Sequence, residues 1–126
     1  MSPELKILAV DDSPTMRRII INTLKRAGFH NVTEATDGKD AMAKLKVDAF
    51  NFVITDWNMP EMDGLTFVHT VRADPQLKAT PILMVTTRSV KEDIIEAMKA
   101  GVNNYIVKPF TPETLAEKIN QILSSV

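Results

Sequence analysis

The 126-residue sequence has no cysteine. That excludes disulfides, thiolate nucleophiles and zinc–thiolate sites, and it fits a reducing compartment. Aromatic residues make up only 6%, with Trp57 the single tryptophan and Tyr105 the single tyrosine. A carboxylate-pair glycosidase with an aromatic-lined sugar groove is therefore disfavoured. No apolar run approaches the roughly 20 residues of a membrane helix. The segment Met1-Ser2-Pro3-Glu4-Leu5-Lys6 lacks the basic stretch and apolar run of a signal peptide. Charge of neither sign dominates. Fifteen Lys and Arg face 16 Asp and Glu, a net charge of -1, so no overall field favours nucleic acid or an anionic membrane. No Gly-rich phosphate loop is present. His30 and His69 lack metal-ligand spacing and read as surface or boundary residues. A cytoplasmic, monomeric globular domain spanning residues 1–126, with no output module after the last helix, is the expectation.

What the chain does have is a strict alternation of short apolar runs and helical patterns. Lys6-Ile7-Leu8-Ala9-Val10 reads as a buried strand. Ser13-Pro14 then supplies a cap and a first-turn proline. Met16, Ile19, Ile20, Leu24 and Ala27 form the inward stripe of the helix, Arg17 and Arg18 a solvated face, and Gly28 ends it. Asn31–Ala35 is a weaker edge strand, and Asp37 caps a short helix carrying Ala41 and Leu45. Phe50–Thr55 is the third strand, and Asn58–Gly64 a loop. Leu65, Val68 and Val71 mark a helix face, and Pro81–Val85 a fourth strand. Ser89 with Glu92 is a capping-box pattern opening a helix with Ile94, Ile95 and Met98 inward. Gly101 closes that helix. Asn104–Val107 is the fifth strand, Thr111-Pro112 opens the last helix, and Leu115, Ile119, Ile122 and Val126 stripe it. Five strand–helix units in this order imply an α/β, doubly wound, five-stranded parallel sheet with helices on both faces.

The polar residues then fall on one rim. Asp11 and Asp12 follow the first strand, Asp56 the third, Thr86 and Thr87 end the fourth, and Lys108 the fifth. Ligands of open α/β sheets bind outside that rim, where strand order reverses. Each residue taken singly has an ordinary role: Asp-Asp as a helix cap, Asp56 as a loop residue, Thr-Thr as strand formers, Lys-Pro as a turn. Jointly they form a site. Three carboxylates in contact repel and hold their protons more tightly. Mg²⁺, which takes a few carboxylates plus water and phosphate, relieves that repulsion. One carboxylate can then attack a phosphoryl group, with the metal, Lys108 and a threonine hydroxyl meeting the charge on its oxygens. Which carboxylate attacks is left open by position and charge.

Val10-Asp11-Asp12-Ser13, Asp56-Trp57-Asn58-Met59-Pro60-Glu61-Met62-Asp63-Gly64, Met84-Val85-Thr86 and Tyr105-Ile106-Val107-Lys108-Pro109-Phe110 together resemble the response-regulator receiver family, and among its members the chemotaxis regulators. The resemblance runs over essentially the whole chain. It implies strand order 2-1-3-4-5 and selects Asp56 as the acceptor of a phosphoryl group from a histidine kinase. It implies one Mg²⁺ held by Asp12, Asp56 and the Asn58 backbone carbonyl, with Asp11 acting through a metal-bound water. Thr86 and Lys108 would meet the phosphoryl oxygens, Thr86 and Tyr105 would switch together, and Lys108-Pro109 would be cis. The implied output is protein binding, to the flagellar motor switch in chemotaxis relatives. A phosphorelay intermediate is the alternative within signalling, and a metal-dependent phosphohydrolase the alternative outside it. Two positions depart from the family pattern. Thr87 replaces a small residue, and Arg88 stands where chemotaxis relatives often carry an acid. With Asn58, these positions tune phosphate lifetime and the approach of a phosphatase.

Overall fold

The computed structural model describes residues 5–125. Five strands alternate with five helices: β1 (Ile7–Val10), α1 (Pro14–Arg26), β2 (Val32–Ala35), α2 (Gly38–Val47), β3 (Phe52–Thr55), α3 (Gly64–Ala73), β4 (Ile82–Thr86), α4 (Lys91–Ala100), β5 (Asn104–Val107) and α5 (Pro112–Ser125). Every strand pair is parallel, in the order β2-β1-β3-β4-β5. The doubly wound sheet read from the alternation is the fold.

Strand side chains alternate between two apolar layers, as a pleated strand requires. Ile7, Ala9, Phe52, Ile54, Leu83 and Val85 pack with Ile20 and Leu24 of α1 and Leu115, Ile119 and Ile122 of α5. Leu8, Val10, Val53 and Met84 pack with residues of α2, α3 and α4 on the other side. β1, β3 and β4 are buried throughout because helices cover both their faces. β2, with the pattern expected of an edge, is not.

The local signals worked where a side chain closes the helix end. Ser13 Oγ accepts from the Met16 amide, Asp37 Oδ1 from Asp40, Asp63 Oδ1 from Thr66, and Thr111 Oγ1 from Thr114. Gly101 ends α4 at a left-handed φ of 118°. Four expectations need correction. The third strand starts at Phe52, not Phe50, because the Asn51 carboxamide, not a strand carbonyl, accepts from the Lys6 amide at 2.8 Å. Ser89 does not cap α4. The first helical bond runs from the Ile94 amide to the Val90 carbonyl, which makes Val90 the cap residue, with no side-chain bond. Ile19, Ile95 and Met98 are exposed at 45%, 42% and 45%, while Ala97 and Ala100 fill the inward side of α4. Arg17 is held, not merely solvated, by bonds to Glu34 and the Asp11 carbonyl. Val126 and the Met1–Glu4 segment lie outside the described residues.

Candidate functional site

The strand pairing β1–β3 sets Val10 beside Thr55, so the residues that follow, Asp11 and Asp56, leave the sheet side by side. The Asp56 amide donates to the Val10 carbonyl at 3.1 Å, extending the ladder one step. β5 lies two places away, and its continuation brings Lys108 back: its amide donates to the Thr86 carbonyl at 2.8 Å. The Lys108 ammonium then sits 3.2 Å from Asp11 Oδ2 and 3.1 Å from Asp56 Oδ2. The three side chains are 8%, 2% and 12% exposed, so this is a largely desolvated ion triad that keeps Asp56 the most accessible of the three.

The remaining oxygens are held by backbone. Asp11 Oδ1 accepts from the Ser13 amide at 2.9 Å, and Asp56 Oδ1 from the Trp57 amide at 2.6 Å. Burial pushes the Asp11 carboxyl above its usual proton affinity, and the Asp56 charge adds to this, while the Ser13 amide and Lys108 oppose it. The loop after β3 folds tightly under this pair. The Gly64 amide donates to the Trp57 carbonyl at 2.7 Å, and a Cβ on Gly64 would lie 2.0 Å from the Asp56 carbonyl oxygen. Only glycine permits that approach. The Lys108–Pro109 bond is cis.

Other residues named from sequence stand around the triad. Thr86 is fully buried at the end of β4, and its hydroxyl accepts from the Arg88 amide at 3.4 Å. Tyr105 is buried in β5, and its hydroxyl donates to the Arg88 carbonyl at 2.8 Å. Burial and the Asp93 charge push its phenol up to about 12, against Arg88. Thr87 is exposed and lines a cavity of about 310 Å³ with Met16, Ile19, Lys108, Pro109 and Phe110. Asp12 is exposed, and its carboxylate has no hydrogen bond or ion pair among the described residues. The expectation of three carboxylates in contact is corrected accordingly. Asp11 and Asp56 converge through Lys108, Asp12 faces solvent, and no group of three acids or histidines among the described residues stands ready around an ion.

Arg88 does more than sequence reading suggested. Its guanidinium lies 4.4 Å from the Trp57 ring centroid. Nε and Nη2 donate to Asn58 Oδ1 at 3.1 and 2.9 Å, and Nη1 to Asp93 Oδ2 at 3.4 Å. Asp93, in the first turn of α4, was not singled out from the sequence.

The response regulator receiver domain model matches residues 7–120. The chain belongs to the response regulator receiver family. Similar receivers include Chemotaxis protein CheY1 of Helicobacter pylori, 57% identical over 122 residues, covering 96% of this chain and 98% of the relative. Chemotaxis protein CheY-3 of Vibrio cholerae is 52% identical over 122 residues, covering 97% and 94%. Among solved structures, chemotaxis protein CheY4 of Vibrio cholerae superposes with a TM-score of 0.87 at 42% identity, covering 95% of this chain and 99% of that one. The receiver's acid rim, Lys108 and buried Thr86 thus sit on a fold shared with chemotaxis proteins.

Proposed function

We propose that this receiver is a phosphorylation-controlled switch of a two-component system, with Asp56 as its phosphoacceptor. The observation that carries the reading is the triad: Asp56 shares one buried ammonium with Asp11, yet remains the most exposed of the three side chains. A carboxylate oxygen of Asp56 attacks phosphorus, the bond from phosphorus to the donor histidine nitrogen breaks, and the imidazole leaves with the electron pair. Lys108 stays within reach of the charge that gathers on the phosphoryl oxygens. Thr86, whose hydroxyl holds only a long bond to the Arg88 amide, is the hydroxyl donor.

The donor set fits Mg²⁺: Asp11, Asp12 and Asp56 side chains and the Asn58 backbone carbonyl are hard oxygens, and the two converging carboxylates outnumber their single ammonium. When bound, the ion supplies neutralisation of the phosphoryl oxygens. Asp12, exposed and without a protein partner among the described residues, is free to serve it.

The donor is a histidine kinase, and the output is protein binding through α4, β5 and α5, where Ile95, Met98 and Val107 are exposed apolar residues. The names of the relatives point to chemotaxis. On the family resemblance, we add a chemotaxis kinase, the flagellar motor switch as target, a phosphatase acting on the site, and a monomer in the cytoplasm. Beryllofluoride or acetyl phosphate, with and without Mg²⁺, tests the centre of this reading. One Mg²⁺-dependent modification per chain is expected, abolished in Asp56→Asn. Labelling that survives Asp56→Asn sinks it. Multiple turnover of a small phosphate ester would favour a phosphohydrolase, and transfer onward to a second histidine protein a phosphorelay.

A further inference from the structure

We propose that Arg88 is a resting-state latch that ties the loop after the acceptor strand to the start of α4 and so holds down the phosphorylated conformer. The inference rests on Asp56 as phosphoacceptor. One residue here joins every part of the switch. Its backbone meets both Thr86, through its amide, and Tyr105, through its carbonyl. Its side chain lies over Trp57, the residue after Asp56, and grips the Asn58 carboxamide with two donors. The same guanidinium reaches Asp93, in the first turn of α4.

The two ends of α4 are held very differently. At the far end Gly101 receives two bonds from Arg72 at 2.9 and 2.7 Å. At the near end Val90 offers no side-chain cap, so the Arg88–Asp93 pair is the side-chain tie from α4 to the acid loop among the described residues. A helix fixed at its C-terminus and latched at its N-terminus can pivot when the latch opens. A planar cation stacked on an indole and forked to an amide is geometrically demanding, so a modest displacement of Trp57, Asn58 or Thr86 breaks it. Asp93 and Arg88 are about one third exposed, so the latch is weak and reversible. A weak restraint of one conformer shifts a two-state equilibrium without abolishing it.

The test is beryllofluoride affinity at saturating Mg²⁺, by NMR titration, for the wild type, Arg88→Ala, Asp93→Asn and the double variant. Opening the latch removes stability from the resting state alone, so each single change should tighten binding about threefold. The double should tighten no further than the tighter single, because both act on one contact. Amide exchange at Asp93 and Ile94 should quicken in the free protein. Unchanged affinities with wild-type uptake intact overturn the latch while leaving the acceptor reading standing. Weaker binding in Arg88→Ala with no change in Asp93→Asn also overturns it, making Arg88 an anion ligand instead. A wild type that takes up no beryllofluoride sinks both.

Discussion

The two rims of this sheet solve the problem of a half-buried cation in opposite ways. At the amino ends of β4 and β5, Arg72 reaches out of α3 and spends its guanidinium on neutral acceptors: the carbonyls of Lys78, Thr80 and Gly101 and the side chain of Asn103, at 2.6–3.0 Å. Asn103 Oδ1 also accepts from the Ile82 amide, the first of β4. One charge there is fully solvated by protein dipoles, and nothing is left to recruit. At the carboxyl ends, one ammonium faces two carboxylates, with a third acid, Asp12, beside them in sequence. The fold leaves that rim short of positive charge. Stability is concentrated at one end and binding capacity at the other, with α4 running between them.

Breaking the satisfied rim should have the largest effect on stability. Arg72→Met keeps much of the apolar stem but removes donors from several backbone carbonyls that lie in the tightly packed α3–β4 and α4–β5 turns. Bonds from a charged donor contribute about 1.5–3 kcal/mol each and overlap in such a network. A loss of about 3 kcal/mol in urea unfolding is expected, with the slope unchanged. Below the midpoint, Mg²⁺-dependent labelling of Asp56 should remain. A loss well under 1 kcal/mol would mean that the two rims do not differ as described.

The acid rim should respond with the opposite sign. The folded Asp11 carboxyl binds its proton more tightly than the unfolded one, chiefly through burial. Its contribution to stability is therefore full below the unfolded carboxylate range and lost as pH rises through the raised folded value. At pH 7 the charged form is a liability, and Asp11→Asn should stabilise the metal-free protein by about 1 kcal/mol. The gain should vanish as the pH falls below the unfolded carboxylate range. Excess Mg²⁺ should reverse the ranking, because the wild type gains binding free energy that the variant forgoes. Denaturation at several pH values with and without Mg²⁺ reads all three outcomes, and a variant less stable than wild type without metal would contradict the account.

How much of this was legible in the sequence follows the same division. The doubly wound parallel sheet, the acid rim and Lys108 came from patterns that physics repeats: apolar runs, caps, and the convergence of carboxyl ends in a parallel sheet. The strand order 2-1-3-4-5 was implied by the family resemblance. Selecting Asp56 over Asp11 took the family resemblance, since charge and position treat them alike. Asp12 was misplaced because adjacent residues leaving a strand point apart, and spacing alone does not say which one turns inward. Arg88 stood out in the sequence only as a departure from the family pattern. Its contacts, and those of Arg72 and Asp93, were invisible because the partners lie 5–31 residues away, within a side-chain reach that no periodicity encodes. Ile95 and Met98 were read as core from their spacing, whereas small Ala97 and Ala100 take the inward side of α4. The apolar stripe of α4 is thus partly an outward one.

The smallest expected effect concerns the near end of α4. Glu92 and Asp93 already complement the helix dipole there, but the Val90 side chain offers no acceptor to the first-turn amides. Val90 is 55% exposed, so replacing it removes little packing. In Val90→Ser the hydroxyl can accept from the Glu92 amide or share the Asp93 amide, which already donates to the Val90 carbonyl at 3.0 Å, as Ser13 accepts from the Met16 amide at the start of α1. A gain of about 0.5–1 kcal/mol is expected. Serine adds no charge beside Arg88, so the Arg88–Asp93 pair is left as it is. If α4 is anchored by Arg72 and only latched at its start, the added cap should slow amide exchange at Asp93 and Ile94 more than at Ala97 and Met98. Equal slowing along the whole helix would show that α4 opens as one unit, and the contrast between its two ends would then not extend to its motion.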